Sequence, residues 1–199
     1  MRICVYGSSS TELDEKYTAA AYDLGRKMAK KGIGLVFGGG AQGVMGATAR
    51  GVRSAGGEII GVSPKFLDVD GVLFQQCTEL IYTDTMRERK QIMEDTADAF
   101  IVGPGGFGTL EEFFEILTLK QLERHNKAIV LLNTDGYYDT LLDFIARSMN
   151  EHFVKEACSM LYSVCGSVDD ALSYIENYKP IKIGIKKLRD VFTYDEYQK

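Results

Sequence analysis

Ile101-Val-Gly-Pro-Gly-Gly-Phe-Gly-Thr-Leu-Glu-Glu-Phe-Phe-Glu115 is the stretch on which the reading of this chain turns. It reads as the end of a buried strand, then a tight glycine turn, then the start of a helix. Ala99 to Val102 is a short apolar run, and Pro104 cannot extend a central strand, so the strand should stop near Gly103. Gly105, Gly106 and Gly108 allow backbone angles that side chains forbid and bring bare N–H groups close to whatever occupies the turn. Thr109 has the character of an N-cap, and Glu112 three residues on fits a capping box. A glycine turn feeding a helix N-terminus is an anion site, because unpaired N–H groups and the helix dipole point outward there. The stretch therefore predicts a phosphate seat with a carboxylate one turn above it. Glu112 has two readings: it completes the cap, or it does chemistry.

Working outward, short apolar runs alternate with helical patterns. Strands are predicted at residues 2–6, 33–37, 58–62, 79–82, 99–102, 128–132 and 161–164. Helices are predicted at residues 12–31, 44–54, 85–96, 110–123, 137–150 and 168–178, and residues 65–77 read as a loop. The alternation and the short apolar strands indicate a parallel sheet covered on both faces. One α/β domain is expected over residues 1–179, with a tail at 180–199 whose order the sequence does not decide.

A second glycine turn, Gly38-Gly39-Gly40-Ala-Gln-Gly43, also follows a strand and precedes a helix. Both turns match G-x-G-x-x-G. A NAD site also wants an acidic residue at the end of the next strand. After the first turn that strand ends in Ser63-Pro64. After the second, Asp135 lies in Asn133-Thr-Asp-Gly136, which also reads as a plain turn. The fingerprint is incomplete, and no G-x-x-x-x-G-K-[ST] is present. Two such turns at one edge of a parallel sheet still point to a ligand.

Arg89 and Lys90 sit on or beside the apolar stripe formed by Met86, Met93 and Ala97. Cations there are costly unless they meet anions, and a phosphorylated ligand at the glycine turns would supply them. The helix from Leu110 carries Phe113, Phe114, Ile116, Leu117, Leu119 and Leu122 around nearly its whole circumference. A helix apolar all round is buried on all sides. Its outer side is expected to pack on a second subunit, the alternative being cover from the chain's own C-terminal segment.

Composition narrows the classes. A net charge of −5 argues against nucleic-acid and anionic-membrane partners. No apolar run approaches the ~20 residues of a spanning helix. A strand beginning at Arg2 leaves no signal peptide before the fold. Cys4, Cys77, Cys158 and Cys165 form no CxxC pair, and reduced thiols in the cytoplasm are the simplest reading. His125 and His152 are the only histidines, which argues against a His-based metal site or a Ser–His–Asp triad.

Pro104-Gly-Gly-Phe-Gly-Thr-Leu-Glu-Glu112 fits P-G-G-x-G-T-x-x-E, and Met86-Arg-Glu-Arg-Lys90 resembles its companion M-x-x-R-K. Together they resemble the LOG (Lonely Guy) family, the cytokinin riboside 5′-monophosphate phosphoribohydrolases, whose members are often labelled lysine decarboxylases. The likeness runs from Cys4-Val-Tyr-Gly-Ser-Ser9 through Gly38–Gly46 to about Tyr178. Many members carry His where this chain has Arg87.

The resemblance implies a Rossmann-like fold, a homodimer, and cleavage of the N-glycosidic bond of a purine nucleoside 5′-monophosphate. It implies Arg89 and Glu112 as catalytic residues. It implies a substrate site that includes Gly39, Gly40, Gly43, Lys90, Gly105, Gly106, Phe107, Gly108, Thr109, Leu110, Glu111 and Thr118. The residues suit that chemistry. Breaking a ribosyl–base bond builds positive charge on the sugar, which a carboxylate stabilises. Arg89 would orient Glu112 or clamp the phosphate, and Lys90 would add a point charge. No metal or redox cofactor is needed. A sensor or carrier that binds the nucleotide without turnover is the competing reading.

Overall fold

The computed structural model describes residues 1–180 and 183–188. Seven strands form one parallel sheet: β1 (Arg2–Tyr6), β2 (Gly34–Phe37), β3 (Ile59–Pro64), β4 (Glu79–Thr83), β5 (Ala99–Val102), β6 (Ala128–Leu132) and β7 (Ser163–Cys165). The helices are α1 (Glu15–Lys30), α2 (Gly43–Ser54), α3 (Met86–Thr96), α4 (Phe107–Gln121), α5 (Asp139–Asn150), α6 (Val168–Glu176) and the short α7 (Ile185–Leu188). The central strands are apolar runs buried along their length, as strands covered on both faces must be.

Strand order is β4-β3-β2-β1-β5-β6-β7. The chain winds outward from β1 in one direction, then returns and winds outward from β5 in the other. The order reverses between β1 and β5, where Tyr6 pairs with Val102. A doubly wound sheet opens a crevice at this switch point, beyond the carboxyl ends of the strands. The loops after β1, β2 and β5 all emerge there.

Two apolar layers flank the sheet. Ile3, Val5, Leu35, Phe37, Ile101 and Val130 face one side with Leu24 and Met28 of α1, Val52 of α2 and Leu172 of α6. Cys4, Tyr6, Val36, Phe100, Val102 and Ile129 face the other with Met93 of α3 and Phe113 and Ile116 of α4. Neighbouring strand residues therefore point to opposite faces, the period of two expected of strands.

Element types agree with the sequence reading, and most ends shift by one to three residues. Two differences bear on the site. Helix α4 begins at Phe107, three residues before the expected Leu110, with Gly106 as its N-cap. Thr109 is therefore not the cap, and Glu112 is the sixth helical residue, out of reach of a capping box. Gly106, at φ −94° and ψ −148°, is the non-helical residue from which the chain enters the helix. Away from the site, residues 156–160, unassigned by periodicity, and Leu161, expected to open the last strand, form a 3-10 helix leading into a shorter β7.

The C-terminal segment partly covers α4. Leu188 is 2% exposed and joins Cys158, Leu161 and Leu117 in a small cluster, and Gln121 donates to the Leu188 carbonyl at 2.9 Å. The expected alternative of cover by the chain's own tail is thus realised on the Leu117 side. Phe114 stays 39% exposed. Residues 181–182 and 189–199 of the predicted tail lie outside the described residues.

Candidate active site at the sheet switch point

The local structure of α3 puts Arg89 in place. Thr85 caps the helix through its hydroxyl, and Glu88 returns to the Thr85 N–H, the capping box read from the sequence. Arg89, one turn in, enters the interior with its side chain only 7% exposed. Its Nε donates to the Val62 carbonyl on β3 at 3.1 Å. Its Nη1 donates to Glu112 Oε1 on α4 at 2.9 Å. The Glu112 side chain is 10% exposed.

Gly38 at the end of β2 makes this possible. A Cβ on Gly38 would stand 1.8 Å from Arg89 Nη2. No residue other than glycine leaves room for the guanidinium at that point. Burial pushes the Glu112 carboxyl above its ordinary range, and the charge and hydrogen bond of Arg89 pull it back. A buried carboxylate meeting a buried guanidinium is held in one geometry, though such pairs add little net stability.

A cleft of about 640 Å³ opens over the pair. Glu112 and Arg89 form part of its wall, with Gly40 from the β2 turn and Gly106, Phe107, Gly108 and Thr109 from the start of α4. Leu110 N–H already bonds the Gly106 carbonyl, so the N–H groups of Gly106, Phe107, Gly108 and Thr109 are those without a partner inside the helix. A Cβ on Gly106 or Gly108 would meet nothing, so the approach to this helix end is open. An open helix N-terminus of this kind suits an anion, and here a carboxylate stands one turn along.

Of the other residues expected at the site, only Glu111 is part of the cleft wall. Lys90 is not part of the cleft wall and is held by Glu111 and Glu115, the latter at 2.7 Å. The anions expected from a ligand thus come from the chain itself, for Lys90 and for Arg89. Glu111 reaches the cleft rim as well as Lys90. Gly105 packs under Thr109, where a Cβ would meet Oγ1 at 2.2 Å. Gly43 (φ +60°) fits against the loop after β1, with the Ser8 and Ser10 carbonyls where a Cβ would go. Gly39 (φ +76°) accepts from Phe74 N–H, Leu110 packs on the apolar layer, and Thr118 is exposed two turns beyond Glu111. Asp135, weighed for a ribose, sits in a turn and pairs with Lys16.

Sequence reasoning missed two parts of the wall. Ser8, Ser9 and Ser10 line the cleft from the loop after β1. Their signal was present, since they follow the first strand of a doubly wound pattern. Leu67, Val72 and Leu73 also line it, from the stretch read as a loop. That stretch is tied down by a bridge between Gly40 and Leu73, and by Ala41 N–H donating to the Val72 carbonyl at 2.8 Å. No local pattern announces such a contact.

The fold and site together define a Rossmann-like protein with an open helix N-terminus facing a buried Arg–Glu pair. Residues 45–175 match the family model described as "Possible lysine decarboxylase". A cytokinin riboside 5′-monophosphate phosphoribohydrolase of Oryza sativa subsp. japonica is 40% identical over 179 residues, 90% of this chain and 74% of that protein. One from Arabidopsis thaliana is 36% identical over 184 residues, 92% of this chain and 81% of that protein. The chain belongs to the LOG family of cytokinin riboside 5′-monophosphate phosphoribohydrolases. Among solved structures, the molybdenum cofactor binding protein from the phototrophic bacterium Rippkaea orientalis shares the fold, with a TM-score of 0.68 at 23% identity. That match covers 88% of this chain and 94% of that one. No lysine is among the described residues lining the cleft, so the decarboxylase description finds no amine there for a Schiff base.

Proposed function

We propose that this chain hydrolyses the N-glycosidic bond of purine nucleoside 5′-monophosphates, of cytokinin type or AMP, to free base and ribose 5-phosphate. The observation that carries the reading is the buried Arg89–Glu112 pair, which shares one cleft with the open N-terminus of α4. The phosphate sits on the N–H groups of Gly106, Phe107, Gly108 and Thr109. The ribose lies above it, with its anomeric carbon near Glu112. As the base departs with the bonding electrons, positive charge grows on the sugar. The Glu112 carboxylate stabilises that charge and takes a proton from the attacking water, whose oxygen bonds the anomeric carbon, while the departing base takes up a proton from solvent. Arg89 holds the carboxylate in position and favours its ionised form. Met45, Leu67, Val72, Leu73 and Met86 give the cleft an apolar wall suited to a purine and to an apolar substituent on it.

The relatives named as phosphoribohydrolases support an enzyme rather than a carrier. The exposed Phe114 on α4 supports a homodimer. The four free cysteines suit a reducing compartment such as the cytoplasm.

The test is base release, followed by chromatography, from AMP, isopentenyladenosine monophosphate and the two matching nucleosides. The monophosphates should react and the nucleosides should not, because binding energy from the phosphate positions the ribose. Equal turnover of adenosine and AMP would remove the phosphate seat from the mechanism. Tight nucleotide binding without base release would make the protein a carrier.

A further inference from the structure

The turn that feeds α4 is held from behind by two adjacent tyrosines. Tyr138 Oη donates to the Gly103 carbonyl at 2.6 Å, and Tyr137 Oη donates to the Gly105 carbonyl at 2.9 Å. Between them, the Pro104 carbonyl accepts from Ser8 N–H at 3.0 Å. Three successive carbonyls of the turn are thus each fixed by a donor from outside it.

The tyrosines are delivered by the turn after β6. Asp135 (φ +53°) and Gly136 (φ +70°) are both left-handed, which folds the chain back towards the end of β5. Tyr138 N–H is fixed on Asn133 Oδ1 at 2.7 Å. Tyr137 stands edge-on to Tyr138, with centroids 4.9 Å apart, and edge-on to Tyr17 of α1 at 5.6 Å. Lys16 of α1 pairs with Asp135 of the same turn. Tyr138 is buried and Tyr137 is 43% exposed. Neither ring is part of the cleft wall.

In a trans peptide the N–H points opposite to the carbonyl that precedes it. A carbonyl held on the far side of the turn therefore turns the following N–H the other way. Fixing the Pro104 and Gly105 carbonyls in this way orients the Gly105 and Gly106 N–H groups. Glycine at 105 and 106 would otherwise leave this part of the backbone loose.

We propose that Tyr137 is a positioning residue for the substrate phosphate, acting through the Gly105 carbonyl to aim the Gly106 N–H at the start of α4, while Tyr138 holds the Gly103–Pro104 peptide, which has no N–H, behind it. The inference rests on the phosphate seat of the proposed function and names what preorganises it.

The experiment compares the parent with Tyr137→Phe, Tyr138→Phe and the double variant. Calorimetry measures affinity for AMP and for inorganic phosphate, and hydrogen exchange follows the amides of residues 105–109. Loss of the Tyr137 hydroxyl should weaken both ligands about fivefold, the worth of one ordinary hydrogen bond, and loss of the Tyr138 hydroxyl should weaken them less. In Tyr137→Phe, exchange at those amides should quicken while the melting temperature changes little, whereas Tyr138→Phe should also melt lower because its partner carbonyl is buried. A scaffold role alone would lower the melting temperature and leave the affinity of the folded protein unchanged. Tyr137→Phe guards against misfolding, since that ring is partly exposed and loses only its hydroxyl. Parent-like affinity for AMP and phosphate in Tyr137→Phe and in the double variant would overturn the clamp alone. Failure of the parent to bind AMP or phosphate would overturn the seat, and the clamp with it.

Discussion

Glu112 and Arg89 are 23 residues apart and come from different helices, yet each is the other's counter-ion. Glu112→Gln keeps an acceptor for Arg89 Nη1 but removes the charge. The guanidinium is then buried without an anion, so the variant should lose about 2 kcal/mol, in the range of a hydrogen bond to a charged group. This exceeds what a helix cap in that role would predict. Turnover should fall by a factor on the order of 10² to 10⁴, the worth of a positioned acid–base group. AMP should still bind, since the seat at α4 is intact. Melting, calorimetry and base release on the same samples separate these effects, and base release at the parent rate would end the catalytic role of Glu112. Gly38→Ala probes the same pair without changing either residue. The added methyl would stand 1.8 Å from Arg89 Nη2, so the guanidinium must leave its place. Turnover should drop on the order of 10², as for a misplaced catalytic group. Unchanged turnover in that variant would mean that the position of Arg89 does not matter. The two residues were legible in the sequence because each lies in a motif of fixed spacing. Their bond to one another was not, because nothing local says which helices face.

Helices α3 and α4 carry, beside the Arg89–Glu112 pair, a second cluster of charges that reaches the cleft only through Glu111. Lys90 and Glu94 from α3, Glu111 and Glu115 from α4, and Lys127 before β6 meet there. Burial, followed by the charge of Glu115, pushes Glu94 up to about 7, with Asp95 adding to it and Lys90 and Lys127 opposing. The folded protein thus binds a proton that the unfolded chain releases near 4.5. Glu94 contributes stability that is fully present below 4.5 and lost as the pH rises through about 7. Glu94→Gln removes the titration. The melting temperature of the variant should rise relative to the parent across that window, read by calorimetry at several pH values. A constant difference would mean that Glu94 ionises normally. The capping box of α3 was readable from Thr85 and Glu88, since a cap is decided within one turn of chain. The start of α4 was misjudged because Thr109 has the right chemistry for a cap, while Gly106 had already turned the chain into the helix.

Across the whole molecule, the sides of α4 have different fates. Ile116 and Phe113 are buried on the sheet, Leu117 lies in the cluster with Leu188, and Phe114 faces out. Helix α5 has no fully buried residue and exposes Phe144 at 64%. The homodimer proposed from this surface predicts that Phe114→Asp keeps the fold and loses the dimer. Light scattering with circular dichroism checks both, and a monomeric parent at micromolar concentration would overturn the assembly. Alternating short apolar runs and amphipathic helices were enough to establish a parallel α/β sheet. Glycine turns after two of the strands were enough to mark its carboxyl edge as the ligand side. Those properties depend on residues within a few positions of one another: strand period, capping, and the φ angles open to glycine. Tertiary structure decided the rest. It brought the loops after β1, β2 and β5 to one switch point, gave Lys90 two carboxylates instead of a ligand, and laid the segment around Leu73 over Gly40. It also set Tyr137 and Tyr138 behind the glycine turn. Strand order and helix facing are settled by how whole layers bury their apolar faces together, and no single stretch of chain carries that information.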